Sequence, residues 1–551
     1  MTAAPPRRRP SPEALLALTF TLAAAMVGQS GLLPDDEGYL TFLGAHLVAH
    51  EPRAALFFPK IHPSASALLA PFAAFGWRAF LVAHAAFAGL AVYLLGRVAR
   101  RLTPHAPWAP ALLLATSPLY LLSAATGQSN STAVFFFAAS LFLIEGAPPA
   151  RLAAGALAAA GIWARYEQAP YLLALVGFDA LGRRRGHALA AFVATTVAYL
   201  GAGALYHHNA AWLFARPPVL LREAGPTTMT ELARGAEGLA SLLTSLALAS
   251  PLGAAALSVR RATLTPEMRA LAATLALALA AQLVLPQLGG LFNYDYTARY
   301  FLCHLPVSSL LAAASLAPGA APRACAPLMA AGAALALWLR GSARGLAGAL
   351  WLAAPWILSW GPRRRVALVA LAALGTVGAS LVVRRHTSAI PVDGLPVAAD
   401  LVRRVPAGVA VYTNTHQLQA LLDARGDARR VRFLVGYDMV IELAAELGGR
   451  RTAQSDAVFR SLGPILYGRA LWPCEMPHAP PVGSLLVLAD SARSNAMYDL
   501  DAWRGAAEPV LQVGRTEVWR VRRPVQVPRR ALPPWMPPAS FELACVAGRG
   551  S

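Results

Sequence analysis

Charge is what this sequence has least of. Only 14% of its 551 residues are charged, against about 25% in ordinary soluble domains. The deficit is uneven. Long apolar runs fill residues 14–383, and the remainder has the mixed composition of a soluble domain. Acids are scarcer still, 28 against 48 bases that are nearly all arginine. A basic balance is one signature of nucleic-acid binding. Here the arginines stand in short clusters between apolar runs, so membrane topology accounts for them and nucleic acid is set aside as a partner. Cysteine is also sparse, with four residues and no CxxC pair, which removes the usual thiolate metal sites. Cys303 and Cys325 fall in or beside apolar runs. Cys474 and Cys545 stand near the C-terminus, either as two thiols or, in an oxidising compartment, as a disulfide.

What is abundant is apolar length. Mean hydropathy is +0.48, and runs near the length of a membrane span recur. The pattern predicts spans over 14–33, 79–96, 108–124, 131–146, 152–164, 169–182, 187–206, 237–257, 268–290, 301–317, 324–339, 345–360 and 366–383, about thirteen at roughly 20 residues each. In lipid these are helices, because a lone strand leaves its backbone polar groups unpaired. Several are rich in Ala and Gly, which suits close helix contact. Arg7-Arg8-Arg9 before the first span reads as the start of an uncleaved signal anchor. Arg97, Arg100 and Arg101, then Arg183-Arg184-Arg185, Arg260-Arg261 and Arg363-Arg364-Arg365 all fall on one set of alternate loops. The positive-inside rule makes that set cytoplasmic, with the N-terminus inside and the C-terminal region outside the plasma (inner) membrane.

The opposite loops hold the acids and mixed polar residues. The first, 34–78, is too polar to span and too apolar for a plain hydrophilic loop. Its leucines and phenylalanines recur at helical spacing over 40–48 and 68–75, as in interfacial helices. It opens with Asp35-Asp36-Glu37. Three adjacent carboxylates repel one another unless a cation or hydrogen-bonding partner compensates. They fit a solvated cap at the membrane surface, and equally a general base serving a lipid-borne substrate. Lys60 and His62 fit interfacial snorkelling or a phosphate contact. Arg165-Tyr166-Glu167, at another outer end, reads as a local ion pair or a phosphate-facing arginine. Asn293, Tyr294, Asp295, Tyr296, Arg299 and Tyr300 form a polar-aromatic cluster at a later outer end.

With these residues in view, the chain resembles the membrane glycosyltransferases of the C superfamily (GT-C). The nearest in pattern are family-39-like enzymes, protein O-mannosyltransferases and lipid A aminoarabinose transferases. The resemblance rests on Asp36-Glu37-Gly38-Tyr39 directly after the first span, on Lys60-x-His62-Pro63 before an amphipathic segment, and on Arg299-Tyr300 running to Pro306. It covers roughly residues 14–383. It implies a polyprenyl-phosphate-linked sugar as donor and inverting transfer, on the external face, to a lipid, glycan or protein acceptor. Asp36 is then the base and Glu37 its support, with room for a divalent cation. Lys60, His62, Arg165, Tyr166, Glu167, Arg299 and Tyr300 are the implied substrate contacts. One departure bears on the cation. Where many relatives carry a further acid, residues 126–132 read Thr-Gly-Gln-Ser-Asn-Ser-Thr.

From about 384 the pattern changes. Short strands are predicted over 409–413, 432–435 and 484–489, helices over 415–425 and 437–447, and a closing hairpin from 510–513 and 518–521. These elements make a small α/β domain with neither a Walker motif nor a GxGxxG fingerprint. The expected organisation is a multi-span GT-C-like catalytic domain over 1–383, an extracytoplasmic α/β domain over 384–523 and a Pro-rich tail over 524–551. The competing classes are a transporter or lipid flippase, and a non-catalytic protein of envelope assembly. A transporter usually shows internal repeats and interrupted helices, and neither is evident in the sequence.

Overall fold

The structure is a computed structural model of the chain and describes residues 11–29, 36–57, 62–215, 264–284, 301–314, 394–413, 417–424, 427, 431–433, 457, 461, 480–489, 504–514 and 516–524. The chain forms two compact units. One comprises Met1–Met26, Val82–Ala125 and Ser129–Val383; the other comprises Val27–Leu81, Thr126–Gln128 and Arg384–Ser551.

The helices, in chain order, are α1 (Pro12–Gln29), α2 (Asp36–His50), α3 (Pro52–Leu56), α4 (Pro63–Ala73), α5 (Trp77–Leu102), α6 (Ala109–Ala115), α7 (Pro118–Thr126), α8 (Ser129–Leu143), α9 (Pro148–Ala164), α10 (Ala169–Gly177), α11 (His187–His207), α12 (Trp212–Ala215), α13 (Pro266–Val284), α14 (His304–Ala314), α15 (Leu395–Arg404) and α16 (Gln417–Ala424). Many open on proline, whose missing N–H is harmless in a first turn. Among the described residues, α1, α5 and α11 are each long and apolar enough to cross a membrane. Their exposed faces are apolar. Leu15, Leu18, Leu22 and Met26 form a stripe along α1, and Leu189, Val193 and Val197 form one along α11. Stripes of that kind are stable against lipid and not against water.

The expected span 108–124 is two helices. α6 and α7 meet at 59° and pass as one span only when taken together. The break falls at Thr116-Ser117-Pro118, where Pro118 cannot continue the ladder and disfavours helix in the residue before it. The expected span 169–182 likewise ends early, α10 giving way to a π-helical turn at Phe178–Gly182. The expected spans 237–257, 324–339, 345–360 and 366–383 lie outside the described residues.

In the first unit α9 lies between α8 and α11, and α13 joins α10 to α14. Close approach depends on small side chains. A Cβ on Gly89 of α5 would stand 1.9 Å from Thr21 Oγ1 and 2.9 Å from the Ala17 carbonyl of α1. Glu13 of α1, buried, is neutralised by Arg100 at 2.6 Å.

In the second unit five strands, β1 (Val411–Thr413), β2 (Arg432–Phe433), β3 (Leu485–Ala489), β4 (Ala507–Val513) and β5 (Thr516–Val521), form a sheet of order β2-β1-β3-β5-β4. β1 runs parallel to β2 and β3, and β5 runs antiparallel to β3 and β4. β3 is apolar without alternation and wholly buried, as a strand covered on both faces must be. Leu395, Ala398, Ala399 and Val402, spaced three and four apart on α15, join it in the core. The sequence-predicted strands and the helix at 415–425 appear here within a few residues. The closing hairpin is longer than expected, because Pro509 is tolerated on an edge strand. The helix expected over 437–447, Cys474, Cys545 and the tail from 525 lie outside the described residues.

Candidate active site

The acidic pair lies in the second unit. Asp36 and Glu37 are the first two residues of α2, where the helix macrodipole favours negative charge. Tyr39, one turn on, is 1% exposed. Its ring lies 5.7 Å from Phe42 and 5.8 Å from Trp77, and Phe42 in turn lies edge-on to Trp77 at 5.3 Å and to Phe80 at 5.4 Å. Pairs in this range are attractive beyond simple area burial. The tyrosine of the Asp-Glu-x-Tyr motif therefore fixes the turn that carries the carboxylates.

Two further features of the same unit bear on the site. α4 runs against α2, and its N-cap is His62, held in the left-handed region at φ 51° immediately before Pro63. A non-glycine residue there is strained, and such strain gathers at functional positions. The second is the turn Thr126–Gln128. Gly127 has φ +81°, and a Cβ placed on it would sit 2.7 Å from Phe80 Cε1 and 3.5 Å from the Gly38 carbonyl oxygen. The turn passes beside the backbone two residues after Asp36. Gly127→Ala combines a forbidden φ with a clash against an immobile ring. It is expected to cost about 1–3 kcal/mol, read as a lowered thermal midpoint of the detergent-solubilised protein. An unchanged midpoint would mean that the turn is not held against α2.

The first unit carries a separate polar cluster. The extended backbone of Arg165 interrupts the path from α9 to a 3₁₀ turn at Tyr166–Gln168, and α10 resumes after it. Arg165 is 4% exposed and Glu167 8%. Arg165 Nε stands 3.3 Å from Glu167 Oε2, and its Nη1 donates to Ser129 Oγ at 3.2 Å. Ser129 opens α8, whose first four residues, Ser129 to Thr132, are all buried. A cationic side chain beside the N-terminus of a fifteen-residue helix is a combination suited to an anion. Tyr166 meets Trp163 edge-on at 6.0 Å. Nearby on α10, Tyr171 shares a hydrogen bond with His304, which stacks on Phe301 at 5.6 Å.

The structure thus groups Asp36, Glu37 and His62 in one unit, and Arg165, Tyr166 and Glu167 in the other. Lys60, Arg299 and Tyr300 lie outside the described residues. Sequence reasoning missed Ser129 and His304. The only signals available were a polar run at a span's start and a histidine five residues after Arg299. Among the described residues no group of three His, Cys, Asp or Glu side chains is placed to hold a metal ion. The turn beside α2 offers amides and hydroxyls in place of a carboxylate.

No protein-family model matches the chain, and no curated protein matches it in sequence. Solved structures do match in fold. The crystal structure of ArnT from Cupriavidus metallidurans bound to undecaprenyl phosphate aligns at TM-score 0.53 and 14% identity, covering 92% of this chain and 97% of that one. The apo structure of the same ArnT aligns at TM-score 0.51 and 14% identity, covering 92% and 98%. The match runs nearly end to end in both chains, so the architecture here is that of the ArnT structures.

Proposed function

We propose that the protein is an inverting glycosyltransferase. It moves a sugar from a polyprenyl-phosphate donor to a lipid, glycan or protein acceptor at the external face of the plasma membrane. The observation that carries this reading is the placement of Asp36-Glu37 at the start of α2, anchored by Tyr39, in the same unit as the strained His62. The end-to-end likeness to an ArnT crystallised with undecaprenyl phosphate supports the donor class. The arginine clusters support the orientation.

The chemistry follows from the leaving group. Phosphate departs readily, so the donor needs little acid assistance. Asp36 accepts the proton of the acceptor hydroxyl or amine as that atom attacks the anomeric carbon. The bond from that carbon to the phosphate oxygen breaks, and configuration inverts. The polyprenyl phosphate leaves with the electron pair, and cationic side chains stabilise its developing charge. Lys60, Arg165 and Arg299 are the cations assigned to this role, with His62, Tyr166, Glu167 and Tyr300 shaping the donor site. Glu37 supports Asp36. The α/β sheet, on the external side in this orientation, is an acceptor-side or scaffolding module with no chemistry of its own.

The decisive assay supplies the purified protein with labelled polyprenyl-phosphate sugars and membrane-extracted acceptors. Consumption of donor with release of polyprenyl phosphate is expected, and no turnover across the donor panel would overturn the reading. The 59° break between α6 and α7 is the one observation favouring a lipid transporter, whose binding helices are commonly interrupted. Movement of the intact lipid-linked sugar across a vesicle membrane, without cleavage, is the result that reading requires.

A further inference from the structure

His84 stands on α5 and is 1% exposed. Its Nδ1 lies 2.9 Å from the carbonyl oxygen of Ala124, in the last turn of α7. Its Nε2 lies 3.2 Å from Ser131 Oγ, in the first turn of α8. A carbonyl only accepts, so Nδ1 carries the proton. Nε2 is then the acceptor, and the Ser131 hydroxyl donates to it. One neutral imidazole therefore ties the chain on both sides of the turn Thr126–Gln128. The tip of that turn meets the same helix. Phe80, one helical turn before His84, is the ring that a Cβ on Gly127 would strike. One helical turn after His84, the Ala88 carbonyl accepts a hydrogen bond from Tyr120 Oη of α7 at 2.8 Å.

An ionisable side chain inside an apolar helix that can cross a membrane is a mark of function before it is a mark of packing. Packing alone asks only for an apolar side chain here. The imidazole adds a donor and an acceptor on opposite sides of one rigid ring, and this sets the spacing between the end of α7 and the start of α8. It also satisfies a carbonyl in the last turn of α7, where such groups lack helical partners. The turn between those two ends passes beside Gly38, two residues after Asp36; a Cβ on Gly127 would stand 3.5 Å from the Gly38 carbonyl oxygen. We propose that His84 is a positioning residue for the transfer reaction. Through Ala124 and Ser131 it holds the turn Thr126–Gln128 where that turn supports the first residues of α2. His84 touches no reactant and acts only through the turn. The inference rests on the reading of Asp36 as the base. A histidine that merely packs helices would be felt in stability and nowhere else.

The test uses the full-length protein in detergent, with hydrogen–deuterium exchange, thermal melting and labelled-donor turnover as readouts. His84→Gln stays polar but has no rigid ring to span both partners. In that variant the amides of Thr126–Gln128 are expected to exchange about tenfold faster, the scale of one lost buried hydrogen bond. Assayed below its own melting midpoint, it is expected to lose about tenfold or more in kcat with the donor KM unchanged, as a slightly misplaced reacting group gives. Ser131→Ala breaks the same link from the other side and is expected to show both effects. The double variant is expected to be little worse than His84→Gln alone, because the two changes remove one shared hydrogen bond. Where His84→Gln does not fold, Ser131→Ala, the smaller change, carries the test. Wild-type kcat in either variant, with only a lowered midpoint, overturns the proposal. So does unchanged exchange across the turn. Release of the turn in the variants of a protein that turns over no donor supports the clamp and overturns the transfer reading, so the two failures are told apart.

Discussion

Sugar transfer by the Asp36→Asn protein is expected to fall by about 10²–10⁴-fold, the usual loss when a positioned general base is removed. The loss is expected in kcat, with the KM for the polyprenyl-phosphate donor little changed, because a base acting on the acceptor contributes to the transition state and not to donor binding. Asparagine keeps the shape of the side chain and removes its proton affinity. α2 is anchored by Tyr39, Phe42 and Trp77, so the variant is expected to fold. Asp35→Asn is the control and is expected to leave transfer unaltered. Labelled-donor turnover by the two variants side by side decides the matter. Wild-type turnover by Asp36→Asn would return the acidic triplet to a solvated cap.

The second large effect is at Arg165. Arg165→Leu removes one partner of a buried pair and leaves Glu167 charged and stranded, a change expected to cost about 3–5 kcal/mol of stability. It also removes the cation beside the start of α8. The two consequences separate in the double variant Arg165→Leu with Glu167→Leu. Replacing a whole buried pair by apolar side chains is commonly near neutral, so the thermal midpoint is expected to recover. If Arg165 faces the donor phosphate, transfer does not recover with it. Recovery of both stability and transfer would reduce Arg165 and Glu167 to a structural pair.

How much of this was legible in the sequence depended on how each feature is encoded. The α/β sheet was readable because β3 is a continuous apolar run and α15 repeats its apolar residues three and four apart. The first-loop helices were readable for the same reason, and α2 and α4 fall over the predicted interfacial segments. The broken span at 108–124 was missed although Pro118 announces it, because hydropathy averaged over a window ignores a single proline inside an apolar run. The buried start of α8 was not legible. Serine, asparagine and threonine in a row read as a loop tip unless it is known that Arg165 reaches Ser129. His84 was hidden in the same way. An ionisable residue inside an apolar run is a functional signal in a membrane protein, but its partners Ala124 and Ser131 lie 40 and 47 residues away. Nothing local in the sequence announces them.

The sheet of the second unit has a consequence for crowding. β4 is an edge strand among the described residues, and it carries Pro509 at a shift of register against β5. A long regular edge presents a free ladder on which another chain can build. Here the ladder is interrupted by a residue with no N–H to give, and among the described residues the opposite edge, β2, is two residues long. Membrane proteins are confined to two dimensions, where copies meet often and with the same side up. A sheet held in common orientation on neighbouring copies is then exposed to edge-to-edge polymerisation, and these two blunted edges guard against it.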